Sequence, residues 1–419
     1  MTNISLLSNT VRVEIPFVGV RMGEYTFGIW EKSLASSTSL ETISKVRYPN
    51  YVTGLRITKV NGTVNTYTLT MKYVIRAGDD PNFLEKVFSS ISKTREMYLS
   101  YGDLSTPIYI YKEEKVLITR ITSNLDINSS SITYTISAIS TAMLCNSSKF
   151  FFPKIKIKGS DQIKKILYDE RYGLLDIFYG MKNKDLVATK GLIAGDDRVV
   201  ELEERNEGVL SYLNYVVNCM SDIVNTDNAL IKKGRYTFLV YDDITSGFEG
   251  PYFKVVKAIS STKSQNSLDI YDIDIGYPND KNAVISFTLD DNETYSLLYD
   301  YSQKVAVNDY VYRIDQNGKP TMQYSPSLSA SPFLKKTTEA DKTWWSQVTQ
   351  YPIRATLTIK GLLRPAMLMT YVRVHSYFYG REHLSSGTYI VTKQVDDISA
   401  SGYRTQLSLT RIAAETELT

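Results

Sequence analysis

The segment SSGTYIVTKQVDDISASGYRTQLSLTRI, residues 385–412, contains two runs in which apolar and polar side chains alternate. Alternation with a period of two is typical of a strand that buries one face. The apolar positions that match across this hairpin are Tyr389, Val391 and Val395 in the first run and Tyr403, Leu407 and Leu409 in the second. We predict a loop from Asp396 to Gly402, because its odd length of seven keeps both apolar faces on one side.

The overall composition favours a structural or binding protein over an enzyme. The 419 residues include 48 Lys and Arg against 45 Asp and Glu, and a formal net charge of +3 gives no general attraction to nucleic acid. Tyr is abundant at 32 residues and His is scarce at 2. Tyr suits half-buried sheets and protein interfaces, whereas much acid–base and metal chemistry depends on His.

The cysteine content and the N-terminal sequence predict a protein that is made and folded in a cytoplasm. Cys145 and Cys219 are too few for a disulfide framework, and the first residues lack a basic segment followed by a long apolar core. We therefore expect folding in a reducing cytoplasm. The longest apolar runs are far shorter than the roughly 20 residues of a membrane-spanning helix, so we expect no membrane-spanning segment.

Residues 11–140 are predicted to be mostly strand, beginning with a hairpin around Asn61-Gly62. A two-residue loop would set apolar side chains opposite threonines. A three-residue loop instead pairs Leu55 with Leu69 and Ile57 with Tyr67, and we favour it because a slip of one residue turns every side chain to the wrong face.

A second hairpin follows the same logic. Its predicted turn runs from Asn128 to Ser131. The apolar face is formed by Leu117, Ile121, Leu125 and Ile127 before the turn and by Ile132, Tyr134, Ile136 and Ala138 after it. The block therefore reads as a curved antiparallel sheet or small barrel.

One helix is predicted between these hairpins. Asp80 suits the N-cap and Pro81 suits the first helical position. An apolar stripe at helical spacing consists of Phe83, Leu84, Val87, Phe88 and Ile91. A stripe of this size must dock on the sheet.

The middle of the chain, about 150–340, differs in character. Helices are predicted from Ser160-Asp161 to Gly173 and from Glu207 to Val224, and short strands follow Gly234. The polar stretch from Asp315 to Thr343 reads as a long surface connection. We find no repeat with a period of 20 to 50 residues, so a solenoid is not expected.

The last block returns to strand. Ile353, Ala355, Leu357 and Ile359 alternate with Arg354, Thr356, Thr358 and Lys360. Thr356 and Thr358 are therefore expected to face solvent or a bore rather than an apolar core.

Candidate catalytic residues do not assemble into a recognised motif. His375 reads as a polar residue on a strand face, His383 reads as a turn residue, and neither belongs to an HExxH pattern. No G-x-S-x-G elbow occurs. Acidic pairs, including Asp396-Asp397, recur where strands are predicted to meet turns, which suits capping. We therefore predict no catalytic residues, no cofactor and no metal.

Two weaker acidic and metal-like patterns have structural interpretations. Asp272, Asp274 and Gly276 resemble part of a calcium loop but lack the further oxygen ligands. Glu201, Glu203 and Glu204 could supply one carboxylate of a glycoside-hydrolase pair, although a solvated acidic run explains them better.

Two further patterns concern interaction surfaces. Lys154, Lys156 and Lys158 lie on one face of a short strand, which favours an edge strand kept soluble by charge, with contact to DNA or an acidic partner as the alternative. Trp344 and Trp345 suit either an interface anchor or a core staple.

The closing segment resembles baseplate hub proteins of tailed phages, a family that includes the late-control D proteins and is similar to the hub part of type VI secretion spike proteins. The residues that carry the resemblance are Gly387, Tyr389 and Asp396, followed by Gly402, Tyr403, Arg404, Thr405, Leu407 and Leu409. The order of two β blocks around a helical and mixed middle extends it to nearly the whole chain. The C-terminal block lacks a strong helix, and residues 362–370 stand in its place.

This resemblance implies a mechanism and a set of partners. Family members are trimers whose chains each contribute two tail-tube-like domains, so that a pseudo-sixfold ring joins a hexameric tail tube to a trimeric spike. The implied partners are two further copies of the chain, the tail tube protein, a spike or needle protein and other baseplate proteins. Genomic DNA would pass through the ring without sequence-specific binding, and the protein would reside in the virion tail after synthesis in the host cytoplasm.

The predicted fold class is mainly β with an α+β middle. We divide the chain into a tube-like N-terminal β-barrel or sheet domain with one helix (1–145), a helical middle domain (146–232), a mixed lobe (233–345) and a tube-like C-terminal domain (346–419). Two other functions stay open. A tail-associated cell-wall hydrolase or peptidase would require a nucleophile or metal motif, and a receptor-binding tail protein would usually show fibrous repeats.

Overall fold

The structure of the chain is a computed structural model. It describes residues 16–23, 25–28, 47–49, 51–60, 62–103, 111–174, 199–220, 235–241, 252–258, 270–275, 284–291, 310–314, 320–324, 353–360, 368, 371–378, 381–382, 385–399 and 402–414.

The part of the first third that the structure describes contains eight strands and one helix. These elements are β1 (Pro16–Met22), β2 (Tyr25–Gly28), β3 (Arg47–Pro49), β4 (Val52–Val60), β5 (Thr66–Val74), α1 (Pro81–Lys93), β6 (Glu96–Asp103), β7 (Tyr111–Asp126) and β8 (Ser131–Ser140).

The described residues of the middle form short strands, two α-helices and two 3₁₀ turns at Thr141–Asn146 and Glu170–Tyr172. The elements are β9 (Lys149–Phe152), β10 (Ile155–Lys158), α2 (Gly159–Leu167), β11 (Val199–Leu202), β12 (Arg205–Gly208), α3 (Val209–Met220), β13 (Arg235–Tyr241) and β14 (Tyr252–Ala258).

Among the described residues that follow, every element is a strand. They are β15 (Ile270–Ile275), β16 (Val284–Asp291), β17 (Tyr310–Ile314), β18 (Pro320–Tyr324), β19 (Ile353–Lys360), β20 (Tyr371–Phe378), β21 (Arg381–Glu382), β22 (Gly387–Ser399) and β23 (Gly402–Ala414). β18 falls inside the stretch predicted as a surface connection, so that prediction is wrong for residues 320–324, where paired strands satisfy the backbone.

The first hairpin has the predicted register. Leu55 pairs with Leu69 and Ile57 pairs with Tyr67, and all four side chains are buried. The amide of Thr63 donates to the carbonyl of Val60 at 3.3 Å across the connection. The apolar pattern on both strands was sufficient to fix the pairing.

Helix α1 also begins where predicted. The Asp80 side chain accepts a hydrogen bond from the amide of Asn82 at 3.0 Å, and Pro81 occupies the first turn. Val87 and Ile91 are buried against the sheet and Phe88 packs beside them, so this part of the predicted apolar stripe docks as expected.

The turn of the second hairpin was predicted in the wrong place. Asp126 pairs with Ser131, so the turn is 127–130 and Leu125 pairs with Ile132. Ile127 therefore leaves the apolar face and is 83% exposed. Asp126 explains the shift, because its carboxylate accepts hydrogen bonds from Asn128 and Ser129 and closes an Asx-type turn one residue earlier.

The middle of the chain contains a repeat that the sequence analysis missed. The order strand, strand, helix occurs at β9–β10–α2 and again at β11–β12–α3, with each element of the second unit beginning 50 residues after its counterpart. The two units exchange strand partners, because β9 pairs with β12 and β10 pairs with β11. Both helices bury apolar side chains, including Ile163 and Leu213, in one shared core.

The C-terminal strands keep the predicted faces but not the predicted loop. Ala355, Leu357 and Ile359 of β19 are buried, as their alternation predicts. The predicted loop from Asp396 to Gly402 is wrong, because Asp396 lies inside β22 and Ser399 pairs with Gly402. In the sequence, Asp396-Asp397 looks like an acidic pair in a turn, although Asp396 is a buried residue in the middle of a strand.

One sheet runs through both ends of the chain. Its strand order is β16-β19-β23-β22-β4-β5-β8-β7-β6-β1-β2-β3, with β20, β15 and β21 attached beside β22. The predicted mainly β class is confirmed, and within the described residues this order does not close into a barrel. β15 and β16, from the predicted mixed lobe, pair with strands of the predicted C-terminal domain, while the four-domain division itself stays a prediction.

Two five-stranded parts of this sheet have the same topology. The N-terminal module is β4-β5-β8-β7-β6, and the C-terminal module is β16-β19-β23-β22-β20. Along the chain, both modules run through these five strands in the same order, namely first, second, fifth, fourth and third. The sequence carries a trace of the duplication, since TLTMK at 68–72 and TLTIK at 356–360 occupy equivalent strands.

Irregularities in the two modules coincide as well. β7 has a bulge at Thr119, whose hydroxyl donates to the carbonyl of Ser137 at 3.1 Å. β22 has a bulge at Thr392, whose hydroxyl donates to the carbonyl of Ser408 at 3.2 Å. Bulges are specific features of a strand pair, so their coincidence aligns the modules residue by residue.

Candidate interaction surface: the module junction and its free counterparts

The two modules join edge to edge within the chain. Residues 393–399 of β22 pair with residues 54–60 of β4 in antiparallel register, which places Ile398 opposite Leu55 and Asp396 opposite Ile57. We call this pairing the module junction. Ile398, Leu55 and Ile57 are all buried there. The junction thus extends one hydrophobic core across two strands that lie far apart in the chain.

A buried polar cluster lies at the centre of the module junction. Lys59 and Asp396 approach to 3.6 Å between Nζ and Oδ2, and both side chains are almost completely buried. The Gln394 amide donates to Oδ2 of Asp396 at 2.8 Å, and the Thr405 hydroxyl donates to Oδ1 at 2.7 Å. Three adjacent strands, β4, β22 and β23, therefore contribute to one carboxylate.

Burial dominates the electrostatics of this cluster. Desolvation raises the pKa of the Asp396 carboxyl above its usual range, and the Lys59 ammonium and the Thr405 hydroxyl act in the opposite direction. Burial also raises the pKa of the Tyr403 phenol well above its ordinary value. Because solvent does not reach Asp396, the cluster suits a structural role at the junction rather than acid–base catalysis.

The residues that carry the sequence resemblance lie in β22 and β23. Tyr389 is buried and its hydroxyl donates to the carbonyl of Ser385 at 2.7 Å. Gly402 begins β23 with φ of 129°, in a backbone region that other residues adopt only under strain. The motif places Tyr403, Thr405, Leu407 and Leu409 on the buried side, Arg404 on the exposed side, and Gly387 at the start of β22. Their role as a family motif stays a prediction.

Lys59 and Gln394 are the residues of this cluster that were not identified from the sequence, and Lys59 carries the clearer signal. It follows Leu55 and Ile57 at a spacing of two and therefore belongs to their apolar face. A lysine at such a position was the available signal, since a buried lysine requires a partner of opposite charge.

The other candidate residues do not gather into a site. His375 and Arg373 share a half-buried strand face opposite the buried Val372 and Val374, as predicted. His383, Trp344 and Trp345 lie outside the described residues, as do the side chains of Asp272 and Asp274. Within the described part of the chain, no group of three or more His, Cys, Asp or Glu has metal-binding geometry.

The basic strand β10 is matched by acidic neighbours. Lys154 lies 3.2 Å from a carboxylate oxygen of Glu201 and 3.1 Å from one of Glu203. Ile155 and Ile157 face inward, as predicted, while Lys156 and Lys158 are exposed. Because Lys154 faces two carboxylates, this strand offers less free positive charge to a polyanion than its sequence suggests. None of the helices that the structure describes is long and apolar enough to span a membrane.

Each module also has a second edge strand, which is the counterpart of one of the two strands that pair at the module junction. In the N-terminal module this is the stretch 119–126 of β7, which pairs with β8 on one side only among the described residues. In the C-terminal module it is β16, which pairs only with β19 in the same part of the chain. Leu125 is 59% exposed on the first edge, and Phe287 and Leu289 are half-buried on the second. We call these two stretches the free edges.

Comparison of the sequence with protein-family models gives no match, and comparison with curated protein sequences gives none either. Among solved structures, the chain is similar to a tail protein from Neisseria meningitidis MC58, with 10% identity, a TM-score of 0.48, and coverage of 95% of this chain and 97% of that one.

Two other solved structures are similar over most of the chain. The 43 kDa tail protein of prophage MuSo2 from Shewanella oneidensis has 12% identity, a TM-score of 0.47, and coverage of 94% and 98% of the two chains. An E. coli component of the type VI secretion system, described as structurally similar to the T4 bacteriophage tail proteins gp27 and gp5, has 8% identity, a TM-score of 0.40, and coverage of 86% and 73%.

Proposed function

We propose that this chain is a structural hub protein of a phage tail or a related injection machine. Three copies form a ring that joins a hexameric tail tube to a central trimeric spike, and genomic DNA passes through the ring without sequence-specific contacts. The observation that carries the proposal is the duplicated module. Two equivalent modules in each of three chains give six similar units, so a ring with threefold symmetry can match a sixfold partner.

The module junction supports this arrangement physically. Sheet pairing at the junction satisfies the backbone groups of two strand edges and buries a shared core. The two free edges correspond to the two edges that pair at the module junction. In a ring, pairing between neighbouring chains satisfies the backbone groups of these edges as the junction does within one chain. A closed ring also removes exposed strand edges that would otherwise promote aggregation.

The faces of the sheet fit a channel that DNA passes through. On β19, Thr356 and Thr358 are half-buried on the side opposite Ala355 and Leu357. We propose that this polar side faces the bore. Arg354 and Lys360 lie on the same side at the two ends of the strand, and contacts of Arg or Lys to phosphates carry no sequence information.

Tail assembly without the chain tests the proposal. We expect tails to stop at the junction of tube and spike, so that electron microscopy finds no complete tails, and the wild-type chain supplied in trans restores them. Complete tails in the absence of the chain would contradict the proposal. A peptidoglycan-release assay on the purified chain addresses the cell-wall hydrolase alternative, for which activity above a buffer control is required.

A further inference from the structure

The module junction provides a template for the free edges. Six residues after the bulge at Thr392, Ile398 pairs with Leu55 of the neighbouring module. Six residues after the equivalent bulge at Thr119 comes Leu125. Leu125 and Ile398 therefore hold the same position in the two modules, but Ile398 is 1% exposed and Leu125 is 59% exposed.

The partner strand can be aligned in the same way. Leu55 pairs with Leu69, and Phe287 pairs with Leu357, at equivalent positions of the two modules. Both strands carry an irregularity two residues earlier, between Val52 and Gly54 in β4 and between Val284 and Ser286 in β16. Phe287 is therefore the counterpart of Leu55.

We infer that a second copy of this chain docks through the free edges, with residues 119–126 of β7 in one copy pairing with β16 of the next. The strands are antiparallel, and Leu125 lies opposite Phe287 as Ile398 lies opposite Leu55. This inference rests on the proposed function, because it identifies the contact through which the ring closes. The contact is heterologous, since two different surfaces meet, and repeated contacts of this kind can close a ring.

The exposure of side chains along β7 supports this contact. Gln394, Asp396 and Ile398 are buried at the module junction, and their counterparts Ile121, Ser123 and Leu125 are half-buried or exposed. The same face of β16 presents Phe287 and Leu289 half-buried. At the positions that the intrachain junction covers, the edges carry the apolar Ile121, Leu125, Phe287 and Leu289 and two polar residues, Ser123 and Asp291. A strand edge meant for solvent normally carries more charge and less apolar surface.

Cysteine pairing between two variants tests the register. At the module junction Asp397 pairs with Arg56, and the counterparts of these residues are Asn124 and Thr288. We expect a mixture of N124C and T288C chains to form a covalent dimer under oxidising conditions, while neither variant alone does so. The native Cys145 and Cys219 are buried and do not compete.

The matched control replaces the β7 residue by one beyond the free edge. Ser129→Cys lies in the turn of the same hairpin, and we expect it to give no cross-link with T288C. Equal cross-linking of Ser129→Cys and Asn124→Cys would overturn the proposed register.

A charge on the free edge tests the energetics. Leu125→Lys places an ammonium opposite Phe287, and we expect at least about tenfold weaker self-association by analytical ultracentrifugation. Leu125 is mostly exposed in the single chain, so the fold tolerates the change. Ile127→Lys, in the adjacent turn, is the control and is expected to leave self-association unchanged.

The outcomes separate this inference from the proposed function. An oligomer that forms normally with Leu125→Lys and gives no cross-link between N124C and T288C overturns the inferred contact and leaves the ring intact. A wild-type chain that stays monomeric at its highest soluble concentration overturns the inferred self-association, while the tail-assembly experiment decides the proposed function independently.

Discussion

The N-terminal and C-terminal modules share their strand order, their core positions and the bulges at Thr119 and Thr392, but they differ at the edges that meet inside the chain. β4 and β22 contribute Lys59 and Asp396 to a buried pair, whereas the equivalent positions on the free edges are Asp291 and Ser123. A buried ion pair penalises any arrangement that separates its members. The difference indicates that the module junction is permanent, while the free edges suit a contact that forms after folding.

A second difference concerns what covers the sheet. In the N-terminal module, α1 connects β5 to β6 and buries Val87 and Ile91. In the C-terminal module the equivalent connection, between β19 and β20, contributes the buried Leu368. The strand next to β6 is antiparallel, while the strand next to β20 is parallel. Duplication therefore preserves the five paired strands and leaves their surroundings free to diverge.

Among the substitutions considered, breaking the buried ion pair is expected to lower the free energy of unfolding most. Asp396→Ala leaves the Lys59 ammonium buried without a partner and should lower the free energy of unfolding by about 3–5 kcal/mol. Arg56→Met is the control, because it removes an exposed pair with Asp397 across the same junction and should cost at most about 1 kcal/mol. Denaturant unfolding measures both values. Similar losses for the two variants would contradict a special role for the buried cluster.

Substitutions at equivalent core positions test whether the cores of the two modules contribute equally to stability. Leu69→Ala and Leu357→Ala each remove a fully buried leucine at the same position of the two modules. We expect each to cost about 2–5 kcal/mol, because a cavity remains in the core. Thermal and denaturant unfolding give the values. A substitution that costs nothing at one of these positions would show that the two cores are not equivalent.

The two bulges allow a finer test. Thr119→Val and Thr392→Val each remove one hydrogen bond from a side-chain hydroxyl to a backbone carbonyl while keeping the β-branched shape. The expected loss is about 1 kcal/mol for each, with the larger loss at the more buried Thr392. A Thr122→Val variant, which removes a longer bond to the carbonyl of Thr135, serves as a control on the same strand. A gain in stability at either bulge would contradict the proposed equivalence.

The last prediction concerns the reactivity of the buried cysteines, where we expect almost no modification of the folded chain. Burial raises the pKa of the Cys145 thiol to about 12, so almost none is thiolate at neutral pH. We expect iodoacetamide to leave Cys145 unmodified in the folded chain and to label it after unfolding, as measured by mass spectrometry. Rapid labelling of the native protein would show that the middle core opens readily.

Sequence patterns predicted the features of the fold that depend on residues close together in the chain. The register of the first hairpin and the start of α1 follow from Leu55, Leu69 and the Asp80-Pro81 cap, because each depends on neighbours in sequence. The closing hairpin was predicted with the wrong loop, since Asp396 looks like a turn residue until its partner Lys59 is known. That partner lies in the other module, which no local pattern identifies.

The duplications were also partly hidden. Equivalence of the first and last blocks was expected from the resemblance, but TLTMK and TLTIK, which carry it in the sequence, were not recognised. The 50-residue repeat in the middle was missed because residues at equivalent positions are different amino acids. Examples are Phe152 and Leu202, and Gln162 and Tyr212. Packing preserves the geometry of a repeat while side chains change to suit different neighbours.

The central claim is that two equivalent modules in each chain alternate around a common axis. Electron cryomicroscopy of the purified oligomer, viewed along its symmetry axis, tests it most directly. The account predicts three chains and six sheet modules around an open channel, with β7 of one chain beside β16 of the next. An assembly with a different number of chains, or one in which the two modules lie at unequal positions relative to the axis, would contradict it.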